Sequence, residues 1–177
     1  PRYSYGASKL IGEIATLHML KKKIKKIIFR PHNLYGIRMG FNHIVPEIIS
    51  KIYRNSSKLK KKYANITMQG SGKETRSFCY IDDAVNQIER IINKGKDKEI
   101  YNVGTMEEIK ILNVVKLIGK YLNVNLNIKK TNIRKGGTLR RCPQMKKTFK
   151  LGYKSKFKLN KGIEIVCNWY KQQLNTK

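Results

Sequence analysis

Short runs rich in Ile, Val, Phe and Tyr alternate along this chain with longer stretches of helical apolar spacing. "IKKIIF" (24–29), "ITM" (66–68), "SFCYI" (77–81), "IYNV" (100–103) and "VNLNI" (124–128) have strand length and composition. Between them, Leu10, Ile14 and Leu17 recur at helical spacing over residues 5–23. Pro46 sits near the start of a second helix running to Arg54, where a first-turn proline is tolerated. Asp82 suits an N-cap for a helix over 83–93 with the stripe Val85, Ile88 and Ile92, and Gly95 would end it. A helix over 111–122 and a last one, capped by Asn160 with Ile163, Val166 and Tyr170 facing inward, complete the alternation. "RPHN" (30–33) and "GSG" (70–72) read as loop and turn. Strands alternating with helices predict an α/β chain.

A chain of 177 residues can bury the core of one domain, or supply part of a larger one. No apolar run approaches the roughly 20 residues that cross a bilayer, and no signal peptide is visible. The first residue is Pro1, and the expectation is a chain missing its beginning. Cys79, Cys142 and Cys167 are odd in number and widely spaced, and His18, His32 and His43 are scattered. This pattern fits neither a disulfide framework nor a metal site, and suggests a reducing, cytoplasmic setting. The formal charge of +28, from 39 Lys and Arg against 11 Asp and Glu, favours polyanions. The lysines are dispersed, as in "KKKIKK" (21–26) and "KLKKKY" (58–63), so solvated faces are favoured over a dedicated nucleic-acid surface.

Tyr5 and Lys9 stand one helical turn apart in "YSYGASKLIGE" (3–13), on one face of the first helix. A free phenol ionises near pH 10 and is a poor base at neutrality. A neighbouring ammonium and a cationic ring both favour phenolate, which could take a proton from a hydroxyl as hydride leaves the same carbon. Taken alone, the spacing favours a structural tyrosine and a solvated lysine.

Its surroundings reverse that. "YGASKLIGE" (5–13) resembles the active-site helix of the extended short-chain dehydrogenase/reductase family, the NAD-dependent nucleotide-sugar epimerases and dehydratases. "RPHNLYG" (30–36) is similar to that family's RPxNxYGP loop, with Ile37 in place of proline. "GSGKETRSFCYIDDAV" (70–85), "YNVGT" (101–105) and "RKGGTLRRCPQMKKTFKLGY" (134–153) follow in the family's order, with Gly137 and Gln144 replacing usual acidic residues.

The resemblance implies a catalytic pair, Tyr5 and Lys9, that also contacts NAD or NADP, with NAD favoured. It places Arg30 and Pro31 beside the cofactor as well. It implies a nucleoside diphosphate sugar as substrate, with Arg76 and Arg134 clamping the diphosphate; arginine's planar fork suits phosphate oxygens. Arg140 and Arg141 stand nearby, either as helpers or as basic surface. Asn33 would bind near the phosphates, or else only shape a turn. "NHIVPE" (42–47), with Asn42 and Val45, and Met68 resemble segments around the nucleobase. Cys79 and Trp169 read as packing, and the pair Asp82 and Asp83 as a cap beside a solvated neighbour.

The family's glycine-rich pyrophosphate turn after its first strand has no counterpart in these residues. The expected organisation is therefore the C-terminal part of a Rossmann-type doubly wound sheet plus a small α/β substrate-binding lobe. Residues 1–40 would belong to the cofactor domain and 41–177 mainly to the lobe, with 70–105 partly returning to the sheet. Alone, the chain should bind NAD poorly and turn over negligibly. A homodimer is implied by resemblance only, and a membrane partner is not expected. The reaction branch stays open between epimerase, the first choice, 4,6-dehydratase and UDP-glucuronate decarboxylase. A non-enzymatic polyanion-binding fragment is the competing class, with nucleic acid the less favoured partner.

Overall fold

The computed structural model describes residues 2–21, 23–132 and 137–175. Its strands are mostly paired in parallel. β1 (Ile27–Pro31) runs beside β6 (Glu99–Val103), β2 (Leu34–Tyr35) beside β5 (Cys79–Tyr80), and β3 (Tyr63–Met68) beside β8 (Asn125–Lys130). β4 (Thr75–Ser77) is the centre of a three-stranded sheet, antiparallel to β7 (Glu108–Lys110) and parallel to β9 (Arg140–Arg141). Parallel pairing needs long crossovers, and helices supply them. They are α1 (Arg2–Ile14), α2 (Ile44–Asn55), α3 (Ile81–Lys94), α4 (Ile111–Leu122), the short α5 (Lys146–Phe149) and α6 (Leu159–Asn175). The result is a mixed α/β fold, as the alternation of apolar patterns predicts.

Two apolar clusters hold it together. In the larger, β3 turns Ala64, Ile66 and Met68 inward while Tyr63, Asn65 and Thr67 face out. α4 adds Val114, Val115, Ile118 and Leu122, and α6 adds Ile163, Val166 and Tyr170. Each fully buried branched side chain of this kind stabilises by about 1.5–3 kcal/mol. α4 stops at Asn123, whose left-handed backbone (φ 57°) closes the helix and turns the chain into β8. The smaller cluster joins Cys79, Ala84, Ile91, Tyr101 and Val103, with Ile27, Leu34, Ile88 and Leu151 packed against it. Among the described residues, no helix is long and apolar enough to cross a membrane.

Several local expectations are corrected. The first strand begins at Ile27 rather than Ile24. α3 starts at Ile81 with Tyr80 as its N-cap, so Asp82 lies inside the first turn. Asp83 is buried, only 2% exposed, and not solvated. The buried stripe of α3 is Ala84, Gln87 and Ile91, whereas Val85 and Ile92 are 56% and 60% exposed. Gln87 takes a place in that stripe because its amide is hydrogen-bonded: Nε2 donates to the Gly104 carbonyl and Oε1 accepts the Gly104 N–H, both at 2.8 Å. α6 begins at Leu159, which places Asn160 within the helix rather than at its cap. In α1, Leu10 and Ile14 do share a face, but both are half exposed. Helical period fixes which residues share a face, not what covers it.

Candidate substrate cleft and active-site helix

Residues from several elements enclose a cleft of about 440 Å³. One wall is α2, with Ile44, Glu47, Ile48 and Lys51; the end of β3 and the following turn bring Thr67, Met68, Gln69 and Gly70. Asn33, Arg76 and Phe78 come from the loop after β1 and from the β4 region, and Thr138 and Arg141 from the late basic segment. Asn33, Asn42, Met68 and Arg76 all line this one cleft. Val45 is not among the lining residues: it points into the larger apolar cluster, and its neighbours Ile44 and Ile48 face the cleft instead. Arg134 lies outside the described residues.

The turn between β3 and β4 is built around one carboxylate. Glu74 Oε1 accepts the Ser71 N–H at 2.9 Å and the Ser71 hydroxyl at 3.0 Å, and Oε2 accepts the Gly72 N–H at 2.8 Å. Burial pushes its pKa up, but these hydrogen bonds outweigh burial and hold it below the usual carboxylate range. Gly70 adopts φ +90°, and a Cβ there would meet Glu74 Oε1 at 2.7 Å, so the close approach needs glycine.

Arg76 leaves this turn on β4. Its guanidinium donates to the carbonyls of Thr75 at 2.6 Å and of Thr138 at 2.7 Å. Burial, and then repulsion from Arg141, lower its pKa, partly opposed by Glu74. Arg141 donates to the Thr138 hydroxyl at 3.3 Å. Arg140 points elsewhere, paired with Glu108 at 2.8 Å. Asn33 has φ 42° and donates its side-chain amide to the Ser77 carbonyl at 3.0 Å. It therefore shapes the loop and also lines the cleft.

Cleft residues that the motif reading did not single out include Glu47, Lys51, Glu74 and Thr138. Glu47 and Lys51 form an ion pair at 2.5 Å, and their four-residue spacing on a helix was visible in the sequence. Glu74 and Thr138 act through backbone geometry, for which no local pattern exists.

The Tyr–Lys pair lies on α1, outside the lining of this cleft. Lys9 Nζ sits over the Tyr5 ring, 5.3 Å from its centroid, so the two share a face as their spacing requires. Tyr5 is 71% exposed. Ser8 turns its hydroxyl back to the Tyr5 carbonyl at 2.8 Å. Arg30 on β1 is engaged by Glu13 of α1 through two hydrogen bonds, at 2.7 and 2.6 Å. Pro31 ends β1 opposite Val103.

The model of the NAD dependent epimerase/dehydratase family matches residues 1–104, more than half of the chain. The chain belongs to that family. It is 33% identical over 148 residues to an uncharacterized protein of Methanocaldococcus jannaschii, a match covering 78% of this chain and 44% of that protein. It is 27% identical over 183 residues to the dTDP-D-glucose 4,6-dehydratase of Homo sapiens, covering 99% of this chain and 50% of the relative. Among solved structures, RMD from Pseudomonas aeruginosa, complexed with NADPH, superposes with a TM-score of 0.85 at 19% identity, over 96% of this chain and 56% of that one. That likeness shows the fold. The chain spans about half the length of the curated relatives it matches.

Proposed function

We propose that this chain carries the substrate site and part of the catalytic machinery of an enzyme that oxidises a nucleoside diphosphate sugar, usually at C4, and processes the resulting 4-keto sugar. The observation that carries the reading is the cleft itself. Its lining combines Arg76, Arg141 and Asn33 with the apolar Ile44, Ile48 and Phe78. Such a site offers cations to a diphosphate and flat apolar surface to a base. Asn42 and Met68 stand with the base, and Val45 supports that surface from behind. The family resemblance adds Arg134, outside the described residues, as a further diphosphate ligand in this reading.

Tyr5 and Lys9 perform the proton transfer in this reading. NAD or NADP, with NAD favoured, supplies the hydride acceptor when bound. The residues present fit it: Lys9 is a mobile cationic donor suited to ribose hydroxyls and stands over Tyr5 on an exposed helical face. Tyr5 takes the proton of the sugar hydroxyl through its phenolic oxygen, and Lys9 stabilises the developing negative charge. Arg30 and Pro31 border this helix at the end of β1, with Glu13 orienting the Arg30 guanidinium.

A two-part organisation belongs to the same reading, bridged by the larger apolar cluster, which takes Tyr35, Phe78 and Tyr80 from the first part. Residues 1–40 together with part of 70–105 form a Rossmann-type cofactor portion, and the rest of 41–177 a smaller α/β substrate lobe. Epimerisation is the first branch. The human dTDP-D-glucose 4,6-dehydratase, which matches 99% of this chain, favours dehydration as the second reading. We place the protein in a cytoplasmic setting.

Calorimetric titration tests the site. UDP-, dTDP- or GDP-sugars should bind in clear preference to inorganic phosphate, and Arg76→Ala should abolish the preference. Equal binding of phosphate and every nucleotide sugar would overturn the reading. Binding of single-stranded DNA or RNA in their place, with a steep salt slope, would favour a polyanion-binding module.

A further inference from the structure

We propose that Arg141, and not its neighbour Arg140, is a guanidinium that receives the diphosphate of a nucleoside diphosphate ligand together with Arg76. The inference rests on the cleft being a nucleotide site, and it says which of two adjacent arginines in the same short strand does the binding. Neither sequence spacing nor family membership makes that choice.

Three observations separate the two side chains. The first is direction. β9 contains only Arg140 and Arg141, and successive residues of a strand point to opposite faces. Arg141 lines the cleft; Arg140 does not. The second is partnership. Arg140 is held by Glu108, with Nε at 3.0 and 3.1 Å from the two carboxylate oxygens and Nη2 at 2.8 Å from Oε2. Among the described residues, Arg141 has no carboxylate in ion-pair range, and its one side-chain hydrogen bond goes to the neutral Thr138 hydroxyl. The third is convergence. β4 and β9 run parallel with Arg76 opposite Arg141, and both guanidinium groups reach Thr138, one at its carbonyl and the other at its hydroxyl.

Two like charges facing one hollow repel each other, and this repulsion contributes to the lowered pKa of Arg76. The carboxylates in the lining relieve it only in part. Glu47 is paired with Lys51, and Glu74 is occupied by the Ser71 and Gly72 donors of its own turn. A bridging anion carrying two negative charges would relieve it and could engage both forks at once. A monophosphate can satisfy one fork fully but spans the pair less well. Arg141 should therefore count for more as the phosphate chain lengthens.

The test is calorimetric titration of the chain and its variants with UDP, dTDP, GDP and the corresponding monophosphates, with a melting curve for each variant. Arg141→Ala should weaken the preferred nucleoside diphosphate by roughly tenfold or more, the usual effect of losing a charge-assisted hydrogen bond. It should weaken the matching monophosphate distinctly less. Arg140→Ala should bind like the parent while melting at a lower temperature, because it loses its Glu108 partner. Arg141→Lys, which keeps the charge and the stem, should fall between parent and alanine, and it carries the test if the alanine variant melts at the assay temperature. Parent-like binding by Arg141→Ala or Arg141→Lys, alongside loss in Arg76→Ala, would sink the assignment of Arg141 and leave the nucleotide site standing. An equal loss for mono- and diphosphates would also overturn it, since a merely structural role predicts that result. No change in Arg76→Ala or Arg141→Ala with any of the nucleotides would overturn both readings together.

Discussion

The carboxylate of Asp83 accepts the backbone N–H of Phe157 at 3.1 Å, tying the first turn of α3 to the segment that leads into α6. The same carboxylate accepts the Ser155 hydroxyl at 2.6 Å and the Lys156 N–H at 3.0 Å. A buried acceptor serving three donors is costly to remove, because each donor loses its partner inside the protein. Asp83→Asn should lower unfolding stability by about 1–3 kcal/mol, since its amide nitrogen turns a donor toward donors. Asp83→Ala should cost at least as much. Urea denaturation measures both, and an unchanged midpoint would refute this anchoring role.

The three cysteines should differ sharply toward a thiol reagent. Burial, joined by the charge of Asp83, pushes the Cys79 thiol up to about 12, and burial alone pushes Cys167 up to about 12. Only the thiolate reacts, and both groups are also shielded from reagent. Cys142 is partly exposed. A native-state titration should show one fast thiol, lost in Cys142→Ser, with the other two released only by denaturant. Three thiols reacting together would contradict the burial of Cys79 and Cys167.

The clasp between α1 and β1 should be pH dependent. The Arg30 guanidinium donates to the Glu13 carboxylate and lowers its pKa against a smaller opposing effect of burial. A carboxylate whose pKa falls on folding contributes stability above its unfolded value, and loses that contribution as pH drops through the folded value. Glu13→Gln should therefore melt below the parent at neutral pH, with the difference disappearing below roughly pH 4. The Arg30 side chain is half exposed, so the effect should be small and should shrink in high salt. A difference that grows toward acid would have the wrong sign for this ion pair.

The features readable in advance were those carried by local pattern. Alternating apolar runs carried the α/β class, and the motif order drew attention to Asn33, Asn42, Met68 and Arg76, which line one cleft in the fold. Failures came where a distant partner decides the outcome. Asp82 looked like a cap because its type suits one, yet Tyr80 holds that position and the neighbouring Asp83 is buried by donors more than 70 residues away. Gln87 took a core position on α3 because the Gly104 backbone satisfies it, which no helical period could announce. Arg140 and Arg141 are alike in sequence and differ only through Glu108 and the orientation of a two-residue strand.

Tyr5 provides the most direct test of chemistry. It lies on α1 with Lys9 over its ring, whereas the cleft is lined by residues of other elements. Proton transfer and nucleotide binding should therefore separate experimentally. In a form of the protein joined to a cofactor-binding half from a relative, Tyr5→Phe removes the phenolic oxygen while keeping the ring beneath Lys9. Positioned proton transfer is worth about 100- to 10,000-fold in rate, so kcat should fall within that range. UDP or dTDP affinity should stay within twofold of the parent, because no contact with the cleft is lost. Arg76→Ala should show the converse, with binding lost first. A Tyr5→Phe variant that retains full turnover would exclude this phenol as the group that takes the sugar proton, and a matched loss of nucleotide affinity would mean that α1 and the cleft are not independent.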